Sequence, residues 1–92
     1  MSALSRSVTI VNKRGLHARA SAKFVGAVAA LDGDVRVRVV KDGSSAAGGS
    51  ILGLMMLGAA KGDTVEVIVE GEGAGEVLDR LVALIEDGFG ED

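Results

Sequence analysis

The chain has 92 residues, of which 48% are hydrophobic and 25% charged, a composition that indicates one folded domain over residues 1–92 and excludes a disordered or collagen-like chain. It contains no cysteine, tryptophan or tyrosine, which excludes disulfides and thiolate metal sites and disfavours nucleic-acid binding by stacked aromatic rings. The net charge of -3 combines eight basic and two acidic residues in positions 1–41 with two basic and eleven acidic residues in positions 42–92, so the first part forms an anion-binding side unless the two parts interleave in space.

The first half of the chain predicts three strands and one helix. Alternating apolar residues indicate strands, and apolar residues at helical spacing indicate a helix. The predicted elements are a strand around Val8 and Ile10, a helix over 18–31, a strand over 35–40 and a short returning strand over 44–46. Asp32-Gly33 supplies the stop of the helix, and Asp42-Gly43 is a favoured pair for a two-residue hairpin turn.

The second half predicts a short helix, a strand and a longer helix. The three elements are a helix within 50–58, a strand over 64–69 and a helix with one apolar face between Val77 and Ile85. Ser50 is the expected N-cap of the short helix and Gly58 lies just past its end, whereas Gly53 weakens it by about 1 kcal/mol relative to alanine. Gly88 ends the last helix, and we expect a frayed tail beyond it.

The predicted order is strand, helix, strand, strand, helix, strand, helix. Short connections and one hairpin favour a four-stranded, mainly antiparallel sheet with all three helices on one face. We therefore predict an α+β fold built as an open-faced two-layer sandwich.

The only histidine of the chain, His17, lies where the first strand gives way to the first helix. The first N–H groups of a helix lack intrahelical acceptors and carry partial positive charge, so they stabilise a bound anion. Arg19 adds a guanidinium that suits phosphate oxygens, and a neutral imidazole is a competent nucleophile. These groups describe a site for a phosphoryl group carried on a ring nitrogen. The alternative is a histidine that merely caps the helix.

Other kinds of site find little support in the sequence. A single histidine without cysteine lacks partners for a metal ion other than carboxylates. Hydrolytic catalysis is disfavoured because there is no Gly-x-Ser-x-Gly elbow and no acidic residue near His17 in the sequence. The glycine clusters at 48–49 and 71–75 lack the spacing of nucleotide-binding loops and are interpreted as turns. We expect neither a metal nor a cofactor.

The short helix that follows Ser50 is unusually apolar. Ile51, Leu52, Met55 and Met56 cannot all face the core from so short a helix, so some of them are expected to form an apolar docking patch. The alternative is that this helix is simply buried.

Two segments of the chain together resemble the histidine-containing phosphocarrier (HPr) family of the bacterial phosphoenolpyruvate-dependent phosphotransferase system. The first is Gly-Leu-His-Ala-Arg at 15–19, and the second is the run at 50–62 that begins with Ser50 and ends with Lys61-Gly62. Their separation and the order of the predicted elements also match the family, and the resemblance covers nearly the whole chain.

The resemblance implies a strand order of 1-4-2-3 and a phosphoryl group on His17 Nδ1. That group would come from phosphohistidine on Enzyme I and pass to a histidine of a IIA protein. Arg19 would match the arginine that neutralises phosphate in this family. The chain would then be a carrier, acting as substrate and donor for its partners, and not itself an enzyme.

The resemblance also implies a regulatory residue and a docking surface. Ser50 would match the serine that an HPr kinase/phosphorylase modifies in many bacteria. Ile51, Leu52 and Met55 would match the family's apolar docking patch beside the histidine.

One position departs from the usual family pattern. Ala20 stands where the family usually has proline, and the alanine form resembles the nitrogen-related branch or single carriers that serve several pathways. The change leaves the chemistry intact, because a first-turn alanine loses only the pre-set backbone angle of proline.

Two other function classes stay open from the sequence. The order of the first six elements also fits an RNA-binding module, which the lack of strand aromatics and the acidic net charge disfavour. A regulatory domain of the same fold could instead dock on a partner without carrying phosphate. For either phosphotransfer or docking we expect a cytoplasmic monomer with no export signal, no membrane span and no nucleic-acid partner.

Overall fold

The computed structural model describes residues 3–31 and 33–91. The elements in chain order are β1 (Ala3–Thr9), α1 (Ala18–Ala29), β2 (Val35–Lys41), β3 (Ser44–Ala47), α2 (Ile51–Met56), β4 (Thr64–Gly71), α3 (Ala74–Glu86) and a 3-10 turn at Gly88–Gly90. The predicted order of strands and helices is confirmed. The predicted stop of α1 includes Asp32, which lies outside the described residues, and α1 itself is capped at Ala30.

The four strands form one antiparallel sheet in the order β1-β4-β2-β3. This confirms the predicted sheet and the strand order that the resemblance implies. The order also places β4, from the acidic part of the chain, between β1 and β2 from the basic part. Ion pairs of 2.6 Å between Arg6 and Asp79 and 3.5 Å between Lys41 and Asp63 join the two parts. The expectation of one separate anion-binding side is therefore wrong, and the two parts interleave.

The core lies between the sheet and the helices. Alternating valines of β2 and β4 point into it and are buried, while the residues between them face the open side of the sheet. The largest side chains that fill it from the helices and the last turn are Phe24, Leu54, Leu81, Ile85 and Phe89. Contacts join α3 to β1 and β4, α2 to β3, and α1 to both other helices, so the predicted two-layer α+β sandwich is confirmed.

Gly53 has a packing role that offsets its low helix propensity. A Cβ at this position would lie 2.9 Å from Ser50 Oγ and 3.4 Å from the Cβ of Ala46 in β3. Glycine therefore lets the first turn of α2 close tightly over its own cap and over the sheet.

The segment from Gly88 to Glu91 is folded, and the expectation of a frayed tail is wrong for these residues. Phe89 in the 3-10 turn is buried in the core with 1% of its surface exposed. The Lys23 ammonium donates a hydrogen bond of 2.6 Å to the Phe89 carbonyl oxygen. The buried ring anchors the turn together with this hydrogen bond, because burying a phenylalanine stabilises by about 2 kcal/mol.

Candidate functional site

The loop between β1 and α1 carries His17 and is fixed from behind by the segment that follows α2. Gly15 has a φ of +62°, and a Cβ there would lie 2.2 Å from the carbonyl oxygen of Ala59. The next residue, Leu16, is buried and donates its N–H to that same oxygen at 2.9 Å. Only glycine fits at position 15, since both the left-handed backbone and the close approach exclude a side chain. The backbone just before His17 is thus held in place.

His17 is the N-cap residue of α1, with an extended backbone. Its ring Nδ1 accepts a hydrogen bond from the Arg19 N–H at 3.3 Å, and its Nε2 lies 2.5 Å from Oε2 of Glu91. The side chain is 16% exposed, so the ring stands at the rim of the fold and not in the aliphatic core. His17 therefore does cap α1, as one of the two interpretations of the sequence expected. In this position its Nδ1 points at the free N–H groups of α1.

Glu91 and the buried Asn12 complete the surroundings of the ring. The Asn12 side-chain amide donates to Gly15 O at 2.8 Å and to Glu91 Oε1 at 3.0 Å. The hydrogen bond from Asn12 lowers the pKa of Glu91; burial opposes this, and His17 and Lys23 lower the pKa further. The carboxylate is therefore held in its charged form beside the imidazole.

Neither Asn12 nor Glu91 was predicted as a site residue. Glu91 lies 74 positions from His17, so no local spacing connects them. No motif in the sequence singles out Asn12. Its burial at 3% exposure, unusual for an amide side chain, becomes visible only in the folded chain.

Arg19 lies in the first turn of α1 and is exposed. Within residues 3–31 and 33–91 its guanidinium has no ion-pair partner. The side chain starts two positions after His17, on the turn whose N–H groups face the ring. It is therefore available to a bound anion.

Ser50 is the N-cap of α2, as predicted. Its Oγ accepts a hydrogen bond of 2.9 Å from the N–H of Gly53. α2 packs against α1, and the stretch after it contacts the loop of His17 through Ala59. The helix that Ser50 begins thus belongs to the same region of the surface as His17.

Four apolar side chains of α2 lie on the surface. Ile51, Leu52, Met55 and Met56 are 41%, 67%, 39% and 77% exposed, whereas Leu54 is fully buried. The alternative that α2 is buried on all sides is therefore wrong. We call Ile51, Leu52 and Met55 the apolar face of α2, and exposed apolar side chains clustered on one short helix are typical of an interaction surface.

The part of the chain that the structure describes contains no cluster of three His, Cys, Asp or Glu side chains that could hold a metal ion. None of its helices has the length and apolar character of a membrane span.

Comparison with known proteins identifies the family to which this arrangement of a helix-capping histidine belongs. A family model described as "PTS HPr component phosphorylation site" matches residues 4–87. The chain belongs to the HPr family. It is thus a member of the phosphocarrier proteins of the phosphotransferase system, as the two sequence segments suggested.

Similar proteins include both HPr and NPr phosphocarriers. The chain is 44% identical to phosphocarrier protein HPr of Neisseria meningitidis serogroup A, over 96% of this chain and 97% of the relative. It is 40% identical to phosphocarrier protein NPr of Shewanella violacea, over 99% and 98% of the two chains. The crystal structure of HPr-C-His from Thermoanaerobacter tengcongensis superposes with a TM-score of 0.88 at 37% identity, covering 97% of this chain and 98% of that one.

Proposed function

We propose that this HPr-family chain carries a phosphoryl group on Nδ1 of His17, taking it from Enzyme I and passing it to a IIA protein. The observation that carries the proposal is the direction of Nδ1 toward the first N–H groups of α1. A phosphoryl group on that nitrogen would place its oxygens among donors that have no other acceptor within the helix.

The long hydrogen bond at Nδ1 is consistent with a site that exchanges partners. At 3.3 Å the bond from the Arg19 N–H is weak, so little is lost when that N–H turns to a phosphoryl oxygen. The exposed guanidinium of Arg19 adds a positive charge at the same turn. A few amides and one arginine hold a dianion without trapping it, and a carrier has to release its phosphate.

The bonds that form and break in the transfer involve only the two histidines and the phosphoryl group. The Nδ1 lone pair of His17 forms a bond to phosphorus as the bond from phosphorus to the nitrogen of the Enzyme I phosphohistidine breaks. The electron pair of the broken bond returns to the donor ring. Passage to a IIA protein repeats the exchange with His17 as the leaving group. Catalysis comes from positioning the two rings and from stabilising the charge on the phosphoryl oxygens.

Phosphorylation of His17→Ala tests the assignment directly. The wild-type chain, incubated with Enzyme I and phosphoenolpyruvate, should gain one phosphoryl group that is labile in acid and stable in base. His17→Ala contains no histidine at all and should gain none. Arg19→Ala should still be phosphorylated, but more slowly, because the amides remain. A wild-type chain that never takes up phosphate would favour the phosphate-independent docking domain.

We further propose that the apolar face of α2 docks these partner proteins. Leu52 is 67% exposed, and Leu4 on the edge strand β1 is 43% exposed, so the same leucine-to-alanine change can be made on two surfaces. Leu52→Ala should raise the KM for this chain in the Enzyme I reaction, whereas Leu4→Ala should not. Equal KM values for the two variants would contradict docking through α2.

Ser50 is the proposed site of regulatory phosphorylation by an HPr kinase/phosphorylase. A negative charge at the start of α2 suits the fold, so its effect should come from placing charge inside an apolar docking surface. Ser50→Asp should therefore slow phosphotransfer from Enzyme I while the protein remains folded. Ser7 is an exposed serine on the edge strand β1, on the far side of the sheet from β3, and Ser7→Asp is the control. Equal transfer rates for the two variants would contradict regulation through Ser50.

A further inference from the structure

We propose that Glu91 is a positioning residue for His17. Its carboxylate holds the proton of the imidazole on Nε2, and it balances the positive charge that the ring acquires when a phosphoryl group is bound to Nδ1. This inference rests on the proposed function, because it concerns the same transfer. It assigns a role to the end of the chain, outside the segment 4–87 that the family model matches.

The carboxylate of Glu91 is held by a folded segment and not by a loose terminus. Phe89 is buried in the core, and its carbonyl oxygen accepts a hydrogen bond from Lys23 on α1. The Glu91 N–H donates to the Gly88 carbonyl oxygen at 3.0 Å. The backbone of Glu91 is thus fixed relative to α1, the helix that His17 caps.

Asn12 fixes the direction of that carboxylate. Its side-chain amide nitrogen lies between two groups that can only accept, Gly15 O and Glu91 Oε1, so the nitrogen must occupy that side. The Asn12 Oδ1 is left buried without a partner among the described residues, which is costly. With Oε1 occupied by the amide, Oε2 is the oxygen that faces the imidazole.

The two neighbours of the ring allow only one neutral tautomer. At Nδ1 the Arg19 N–H can only donate, so that nitrogen must carry a lone pair. At Nε2 the Glu91 carboxylate can only accept, so that nitrogen must carry the proton. The neutral ring is therefore already prepared with its nucleophilic lone pair on Nδ1.

The same carboxylate has a second effect during transfer. When the Nδ1 lone pair becomes the bond to phosphorus and the proton stays on Nε2, the ring acquires a positive charge. Glu91 Oε2, 2.5 Å from Nε2, then forms a charge-assisted hydrogen bond with that cation. Passing the phosphoryl group on returns the electron pair to Nδ1 and restores the neutral ring. A carboxylate that orients an imidazole and stabilises its cation has the same physical role in the triads of serine hydrolases.

Glu91→Gln removes this arrangement at nearly constant shape. If the glutamine oxygen keeps the bond to Asn12, the glutamine NH₂ group faces Nε2. Because this group can only donate, Nε2 must then carry a lone pair and the ring proton must move to Nδ1. If the glutamine is turned the other way, two amide NH₂ groups confront each other at Asn12. Either orientation loses a hydrogen bond and all of the negative charge.

The control variant is Glu72→Gln, the same change at the opposite end of α1. Glu72 is exposed, and it lines a surface hollow together with Ala30 and Leu31, which follow α1. His17 caps the other end of this 12-residue helix, about 18 Å away along its axis. A general effect of removing one negative charge would alter both variants alike.

Two measurements on the full-length chain test the inference. Nitrogen-15 NMR of the ring, at about pH 9 where an imidazole is neutral, reports which nitrogen carries the proton; His17 is the only histidine, so its signals need no assignment. Rapid-quench kinetics with phosphorylated Enzyme I report the rate of transfer. We expect the Nε2–H form in the wild type and in Glu72→Gln. In Glu91→Gln we expect a gain of the Nδ1–H form and a transfer rate about tenfold lower, because a neutral hydrogen bond is roughly half as strong as a charged one.

A wild-type ring with its proton on Nδ1 would overturn the inference. So would a Glu91→Gln variant that keeps either the tautomer or the transfer rate of the wild type, or a Glu72→Gln variant that loses rate to the same extent. Failure of the proposed function has a different signature: the wild-type chain would take up no phosphate, or His17→Ala would take it up as well, whatever the tautomer of the wild-type ring.

Discussion

Replacing Gly15 with alanine tests how firmly the loop before His17 is held. The left-handed backbone at φ +62° costs a residue with a Cβ about 1–2 kcal/mol. The new Cβ would lie 2.2 Å from Ala59 O, whereas ordinary contacts begin at 3.4 Å. The loop must therefore move by about 1 Å, and the hydrogen bond between Leu16 N–H and Ala59 O is lost at about 1 kcal/mol. We expect a total loss of about 2–3 kcal/mol in the free energy of unfolding, of which about 1 kcal/mol comes from the contact with Ala59.

Gly58→Ala provides the matched control for the backbone contribution. Gly58 has a φ of +65°, close to that of Gly15, but a Cβ there would meet nothing within 4 Å. It should cost only the 1–2 kcal/mol of backbone strain. Urea unfolding of both variants, with unchanged m-values, measures the difference. Equal losses would refute the argument that the contact with Ala59 fixes the loop.

Three further predictions concern stability. Leu54→Ala should lower the free energy of unfolding by about 2–5 kcal/mol because Leu54 is fully buried. Met56 is 77% exposed, so Met56→Ala should change the same quantity by less than about 0.5 kcal/mol. Similar urea midpoints for the two variants would contradict the packing of α2. Ser50→Ala should cost about 1 kcal/mol in the same assay, since it removes the cap bond to Gly53, and an unchanged midpoint would show that this bond does not stabilise α2. The hydrogen bond from the Ala60 N–H, and to a smaller extent Lys41, lowers the pKa of Asp63, while burial opposes the shift. The charged carboxylate therefore stabilises the fold at any pH above the ordinary pKa of an aspartate. This contribution disappears as the pH falls through the lowered pKa of the folded state. Wild type should accordingly be more stable than Asp63→Asn at pH 7, with the gap closing in acid, and a gap independent of pH would contradict this.

The periodicity of the sequence determined the strands, the helices and their order. Alternating valines at 35–40 and 64–69 and the apolar spacing within 77–85 are local patterns, and each forms the element that it predicts. His17 and Arg19 could be proposed as site residues for the same reason, because a helix N-terminus and a side chain in its first turn are neighbours in sequence. The apolar α2 was ambiguous, since periodicity in so short a helix does not determine which residues are covered.

Tertiary structure alone decided which group lies on the Nε2 side of the imidazole. Glu91 contacts His17 although 74 positions separate them. The contact forms because the buried Phe89 fixes the segment after α3 against α1. Asn12 donates to Gly15 three positions away, but its second hydrogen bond, to Glu91, spans 79 positions. Sheet order likewise mixed the basic and acidic parts of the chain, which the sequence left open. Local patterns specify elements because their hydrogen bonds close within a few residues, whereas the partners of a side chain at the rim depend on how distant elements pack.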